Sequence, residues 1–108
     1  MTTLDRPSLE ARMRAQGLDP AVWSYLPGER LQEGANDYDK VVVVVEGSIT
    51  YGMTGYTVGF ILGPGERLDL PAGVGHDAVI GPKGVTCLEA HLAAGTMGRR
   101  AKGRGYRW

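Results

Sequence analysis

The chain has one cysteine in 108 residues, so it cannot build an internal disulfide framework or a zinc centre of several thiolates. Histidine is scarce too, with only His76 and His91, which confines any imidazole chemistry to those two positions. No apolar run approaches the roughly 20 residues that span a bilayer; the longest, Val41 to Val45, is five residues. The opening Met-Thr-Thr-Leu-Asp-Arg has no long apolar stretch behind it, so no secretory leader is expected and a cytoplasmic location follows. Net charge is also missing. Twelve Lys and Arg balance twelve Asp and Glu, which gives no reason to expect nucleic acid or a membrane as partner of the whole chain. The length suits one domain and is short for two. Such a domain buries roughly 65% of its unfolded surface, enough for one unstapled core.

Glycine is abundant, with seventeen residues, about twice the usual share. They follow no three-residue period, so tight turns explain them better than a collagen-like repeat. Charge, balanced overall, is unevenly placed. Gly95 to Trp108 carries Arg99, Arg100, Lys102, Arg104 and Arg107 and no acid, leaving seven basic against twelve acidic side chains in residues 1–94. A body of net charge −5 with a short basic tail is the result.

Residues 1–28 read as a helical segment. Ser8 is a candidate N-cap, Leu9 and Met13 lie one turn apart, and Gly17 supplies a closing residue. Asp19-Pro20 repeats a start signal and predicts a second helical turn carrying Trp23, Tyr25 and Leu26 up to Pro27-Gly28. From there to residue 94 the texture is β. Short strands are expected over Lys40–Val45, Ser48–Tyr51, Tyr56–Leu62, Arg67–Leu70, His76–Ile80 and Val85–Leu92, with turns at Glu46-Gly47, Gly63-Pro64-Gly65, Pro71-Ala72-Gly73 and Gly81–Gly84. No helical stretch separates them, so an antiparallel sandwich or barrel is expected rather than a parallel βαβ sheet. The valine run suits a central strand buried on both faces. Residues 95–108 form the basic, glycine- and arginine-rich tail.

The stretch from Gly65 to His76 resembles the second motif of the cupin superfamily: a glycine, five residues, a proline, one residue, a glycine, two residues and a histidine. Gly65, Pro71, Gly73 and His76 match; Ile80 stands where the motif usually ends in asparagine. The spacing has a physical sense. Gly65 starts a strand after a tight turn, Pro71 ends pairing, and Gly73 permits the turn that aims His76 inward. The family's first motif, two histidines, a glutamate and a closing glycine, is matched only at its end, by Val43-Val44-Val45-Glu46-Gly47. Counting back from Gly47 puts Lys40 at the glutamate and Asn36 and Gly34 at the histidines; a one-residue slip offers Asp39, Ala35 and Glu33. Neither register supplies a histidine. The resemblance implies an all-β antiparallel jelly-roll barrel over residues 29–94, after a short N-terminal helical segment.

The barrel is expected to bind a small organic ligand, with His76 as its central polar group and Lys40, Asn36, Tyr51 and Phe60 around it. Lys40 is either a buried cation for a carboxylate or a lysine reaching for solvent. Asp37 and Asp39 are candidate bases near the mouth, and Cys87 reads as a buried, inert thiol. The second reading is a metal-dependent enzyme of dioxygenase or isomerase type holding a divalent transition metal. It needs His76, His91 and Glu89 to converge. Glu89 and His91 share one strand face with Cys87, and that face must point inward; the alternative sends Leu88, Ala90 and Leu92 into the core instead, which their apolar character favours. A third reading gives the tail an RNA or acidic protein partner. A homodimer is expected, paired through sheet edges or the N-terminal segment with Trp23 and Tyr25.

Overall fold

The computed structural model of the chain describes residues 5–54, 57, 59–96 and 106–107. One helix, α1 (Arg6–Ala15), is followed by β1 (Ala21–Tyr25), β2 (Arg30–Gly34), β3 (Tyr38–Met53), β4 (Phe60–Leu62), β5 (Glu66–Leu70), β6 (His76–Ala93) and β7 (Tyr106–Arg107). Every strand pairing is antiparallel. The order is β1-β6-β3-β5-β7, with β2 also on β6 and β4 also on β3. The sheet is strongly folded but does not close.

Two strands organise it. β3 and β6 pair along almost their whole length, from Tyr38↔Ala93 to Met53↔His76. Their register shifts between Val44 and Glu46 and between Gly47 and Ile49, and such bulges bend a strand and sharpen its twist. On either side of the bend the partners change. The first half of β3 takes β5 and its second half takes β4; the first half of β6 takes β2 and its second half takes β1. The inner faces of the two half-sheets then meet: Val42, Val44, Leu68, Leu70 and Cys87 from one join Ile49, Tyr51, Met53, Leu62, Ala78 and Ile80 from the other in a single core. This is the packing of a jelly roll.

Glu46-Gly47 and Gly81–Gly84 are therefore bends in continuous strands, not the chain reversals that the sequence suggests. Glycine is required at the first of them for a steric reason. Gly47 has φ +80°, and a Cβ there would run into the Gly84 carbonyl oxygen and stand 2.9 Å from the Val85 Cα. Of the strand expected over Tyr56–Leu62, Phe60–Leu62 is paired, and residues 55, 56 and 58 lie outside the described set.

The N-terminal segment holds two corrections. The N-cap of α1 is Asp5 rather than Ser8: its Oδ1 accepts the Ser8 N–H at 2.9 Å, one of the orphan donors of a first turn. The Ser8 hydroxyl, then its N–H, hold the Asp5 carboxyl below its ordinary range. That support is present above the unfolded carboxylate pKa and is lost as pH falls through the folded value. At the other end, Gly17 N–H reaches the Arg14 carbonyl and Leu18 N–H the Met13 carbonyl, both at 3.0 Å, the paired bonds of a Schellman ending. The second correction concerns Ala21–Tyr25, which is strand β1 and not a helical turn. Its neighbour decides this, since each residue is in register with β6 from Ala21↔Glu89 to Tyr25↔Val85, and tertiary pairing overrides the cap-like Asp19-Pro20.

α1 covers the outer face of the sheet. Leu9, Met13 and Leu18 pack on Val41, Val43, Leu88 and Ala90. Arg67 fastens the helix end, donating from Nη1 to the Gln16 side-chain oxygen at 2.7 Å and from Nε to Asp69 at 2.7 Å. The valine run is thus buried on both faces, and β3 is central. Because Met13 is wholly buried, Met13→Ala is expected to cost about 2–5 kcal/mol, measured as a shift of the urea midpoint without a change of slope.

Candidate functional site

The turn that was expected to aim His76 is present. β5 ends at Leu70, Gly73 takes φ +85°, and its N–H is held by the Asn36 carbonyl at 2.9 Å. Val74 N–H bonds back to the Pro71 carbonyl at 3.3 Å. β6 then begins at His76, which is 6% exposed. Its Nδ1 faces the Val74 carbonyl at 3.2 Å; a carbonyl accepts only, so this hydrogen bond requires the proton on Nδ1.

His76 lies between Gly34 of β2 and Met53 of β3 in the pairing. Gly34 contributes no side chain, and a Cβ placed on it would meet nothing within 4 Å. That gap is part of a cleft of about 450 Å³ lined by Gly34, Gly52, Met53, Thr54, Gly75, His76 and Asp77. The cleft is open at the end of the strands rather than enclosed, because the space between the half-sheets is filled by the core. Its one charged lining side chain among the described residues is Asp77.

The other residues expected around His76 are placed differently. Tyr51 is 1% exposed, and its ring centroid lies 6.1 Å from that of His76, tilted by 50°. It backs the histidine from within the core. Phe60, half-buried, is the cross-strand neighbour of Tyr51. Asn36 serves through its backbone oxygen on Gly73. Lys40 lies on the inner face and is 3% exposed, with Nζ 3.5 Å from Glu89 Oε1. The two are diagonal neighbours, since Lys40 is opposite His91 and Glu89 opposite Val42. Among the candidate bases, Asp39 is consumed structurally, its Oδ1 accepting the N–H groups of Ala72 at 2.8 Å and Gly95 at 3.4 Å; Asp37 is exposed. Cys87 is a free, buried thiol.

The His76, His91 and Glu89 metal triad is not assembled. Glu89 and Cys87 do face inward, against the expectation that Leu88 and Ala90 would fill the barrel; those two pack under α1 instead. His91, however, is exposed and stacks on Tyr38 with centroids 4.2 Å apart. No group of three His, Cys, Asp or Glu side chains among the described residues is arranged to hold a metal ion. The donor set also argues against one: the position matching the first motif's glutamate carries an ammonium, which repels a cation and already engages the nearest carboxylate. The described residues do not fit a transition-metal centre.

The sequence reading missed Gly34 as an opening, and Met53, Thr54 and Asp77 as cleft walls. The first was legible as the absence of a side chain at a family ligand position. The others follow only from the β3–β6 register.

No protein-family model matches the chain, and no curated protein matches it. Solved structures do. A protein of unknown function from Rhizobium leguminosarum superposes with a TM-score of 0.64 at 24% identity, over 70% of each chain. A cupin superfamily protein from Desulfitobacterium hafniense gives 0.61 at 20% identity, over 70% of this chain and 67% of its own. The DMSP lyase DddQ from Ruegeria pomeroyi gives 0.63 at 19% identity, over 69% of this chain but only 38% of the lyase. The chain has a cupin-type fold. No helix among the described residues is long and apolar enough to cross a membrane.

Proposed function

We propose that the chain is a small cupin that binds a small organic molecule in the open cleft beside His76. The observation that carries this reading is a nearly buried imidazole, oriented by a backbone carbonyl, in the wall of a cavity of about 450 Å³. A few convergent polar groups in a concave wall are what ligand sites share. The ligand class follows from charge. Asp77 is the charged group of the wall and Lys40 is already engaged by Glu89, so a neutral hydroxylated molecule, a sugar or polyol, suits the cleft better than a carboxylate. His76 and Thr54 supply hydrogen bonds, and Met53 offers an apolar contact.

Calorimetric screening of sugars, polyols and carboxylates against the metal-free protein tests the reading. A hydroxylated ligand is expected to bind and to weaken by about tenfold or more in His76→Ala, since an unmade buried hydrogen bond costs about 1–3 kcal/mol. Unchanged affinity in that variant, or binding only after metal is added, would overturn it.

A further inference from the structure

The turn between β5 and β6 decides where His76 points, and it is held from outside. Gly73 N–H is bonded to the Asn36 carbonyl at 2.9 Å, and the Gly75 carbonyl accepts the Thr54 N–H at 2.9 Å. Both are backbone bonds, available to this chain path whatever its side chains. Among the described residues, the side chain that grips the turn is Asp39. Its Oδ1 accepts the Ala72 N–H at 2.8 Å and, more loosely, the Gly95 N–H at 3.4 Å.

The position of Asp39 explains this reach. It stands near the start of β3, opposite Leu92 of β6, and its neighbour Lys40 is opposite Leu70 of β5. β5 and β6 end on either side of it, so one carboxylate meets a residue just past each strand end. Asp39 is 1% exposed. Burying a carboxylate is costly unless donors meet it. An ionised carboxylate only accepts, which suits a point where backbone N–H groups converge, and such charge-assisted bonds are among the stronger ones. Counting from Gly47 sets Asn36 at a histidine of the resembled first motif and, with a one-residue slip, Asp39 at its glutamate. Positions that the motif gives to ligating side chains here clamp the turn of the second motif.

From Ala72 the restraint passes along the backbone. Val74, two residues on, offers the carbonyl that faces His76 Nδ1 at 3.2 Å, and the bond made by one ring nitrogen sets which nitrogen carries the proton. We propose that Asp39 is a positioning residue for the His76 cleft: by gripping Ala72 it fixes the Val74 carbonyl, and through it the imidazole in the cleft wall. Its functional meaning rests on the reading of that cleft as the ligand site. The ring is measured on the ligand-free chain, so a failed ligand screen and a failed orientation test are separate results.

Long-range proton–nitrogen NMR of neutral His76 in the full chain reads the orientation. The parent is expected to carry its proton on Nδ1. In Asp39→Ala the proton is expected to pass largely to Nε2, and amide exchange at Ala72 to become about tenfold faster or more. Asp39→Asn, which keeps an acceptor oxygen and loses the charge, is expected to fall between the two, and it serves if the alanine variant does not fold. Met13→Ala, a change buried under α1, loses stability without touching the turn and is expected to keep the parent's ring signature. A parent-like ring or parent-like Ala72 exchange in Asp39→Ala, or in Asp39→Asn where the alanine variant does not fold, would overturn the proposal. The same proton shift in Met13→Ala would also overturn it, by making the shift a mark of lost stability alone.

Discussion

Lys40→Met is expected to cost about 3–5 kcal/mol, one of the largest losses available to a single substitution in this chain. Lys40 and Glu89 are 3% and 7% exposed and 3.5 Å apart. Removing the ammonium takes the paired cation from a nearly buried carboxylate that neighbours Val42 and Cys87, and much of the desolvation of that charge is then uncompensated. Replacing both partners, Lys40→Met with Glu89→Leu, should recover most of the stability, since a well-packed apolar pair often equals or exceeds a buried ion pair. Urea denaturation of the single and double variants at neutral pH makes the comparison. A single variant as stable as the parent at neutral pH would show that the ion pair does not stabilise the pairing of β3 and β6.

The second large effect is expected at the bend. Gly47→Ala forces an L-residue into φ +80°, which costs roughly 1–2 kcal/mol by itself, and drives its methyl group into the Gly84 carbonyl. The obstacle is backbone on the partner strand, so relief requires β3 and β6 to separate where their register already shifts. A total of about 4 kcal/mol or more is expected, which belongs to the exceptional class of single substitutions. It is comparable with the whole stability of many small domains. Gly28→Ala is the control: φ +73° but nothing within 4 Å of its Cβ, so only the conformational cost applies. Equal melting temperatures for the two variants would remove the steric explanation.

Much of the fold was legible because its signals are local. Pro71, Gly73 and His76 act through backbone geometry within a dozen residues, and the turn formed as the motif implied. The valine run announced a central strand. The long strands were not legible, because glycine marks a reversal and a bend in the same way. Only the facing of Gly47 and Gly84 distinguishes the two at this site, and those residues are far apart in sequence. β1 was read as helix for a related reason. Asp19-Pro20 is a sound start signal, but Trp23 and Tyr25 alternate with Val22 and Ser24, and pairing with β6 decided the outcome.

The candidate site divides similarly. The spacing of the motif made the placement of His76 legible. Lys40 and Asn36 were expected beside it from the first motif's positions, and Tyr51 and Phe60 as aromatic strand residues; Lys40 instead pairs with Glu89 across the strand, and Gly34 leaves an opening. The inward face of Glu89 was missed because Leu88 and Ala90 looked like barrel residues. They are apolar because α1 lies over them, and Leu9 and Met13 were the signal that an outer platform had to exist.

The most direct test of the His76 assignment is long-range proton–nitrogen NMR of the two imidazoles, recorded at alkaline pH with both rings neutral, before and after addition of the best hydroxylated ligand. The expected result is a protonated Nδ1 for His76, held by Val74, with ligand-dependent shifts at His76 Nε2 and none at His91. A protonated Nε2 in His76, or shifts of equal size at both rings, would contradict it.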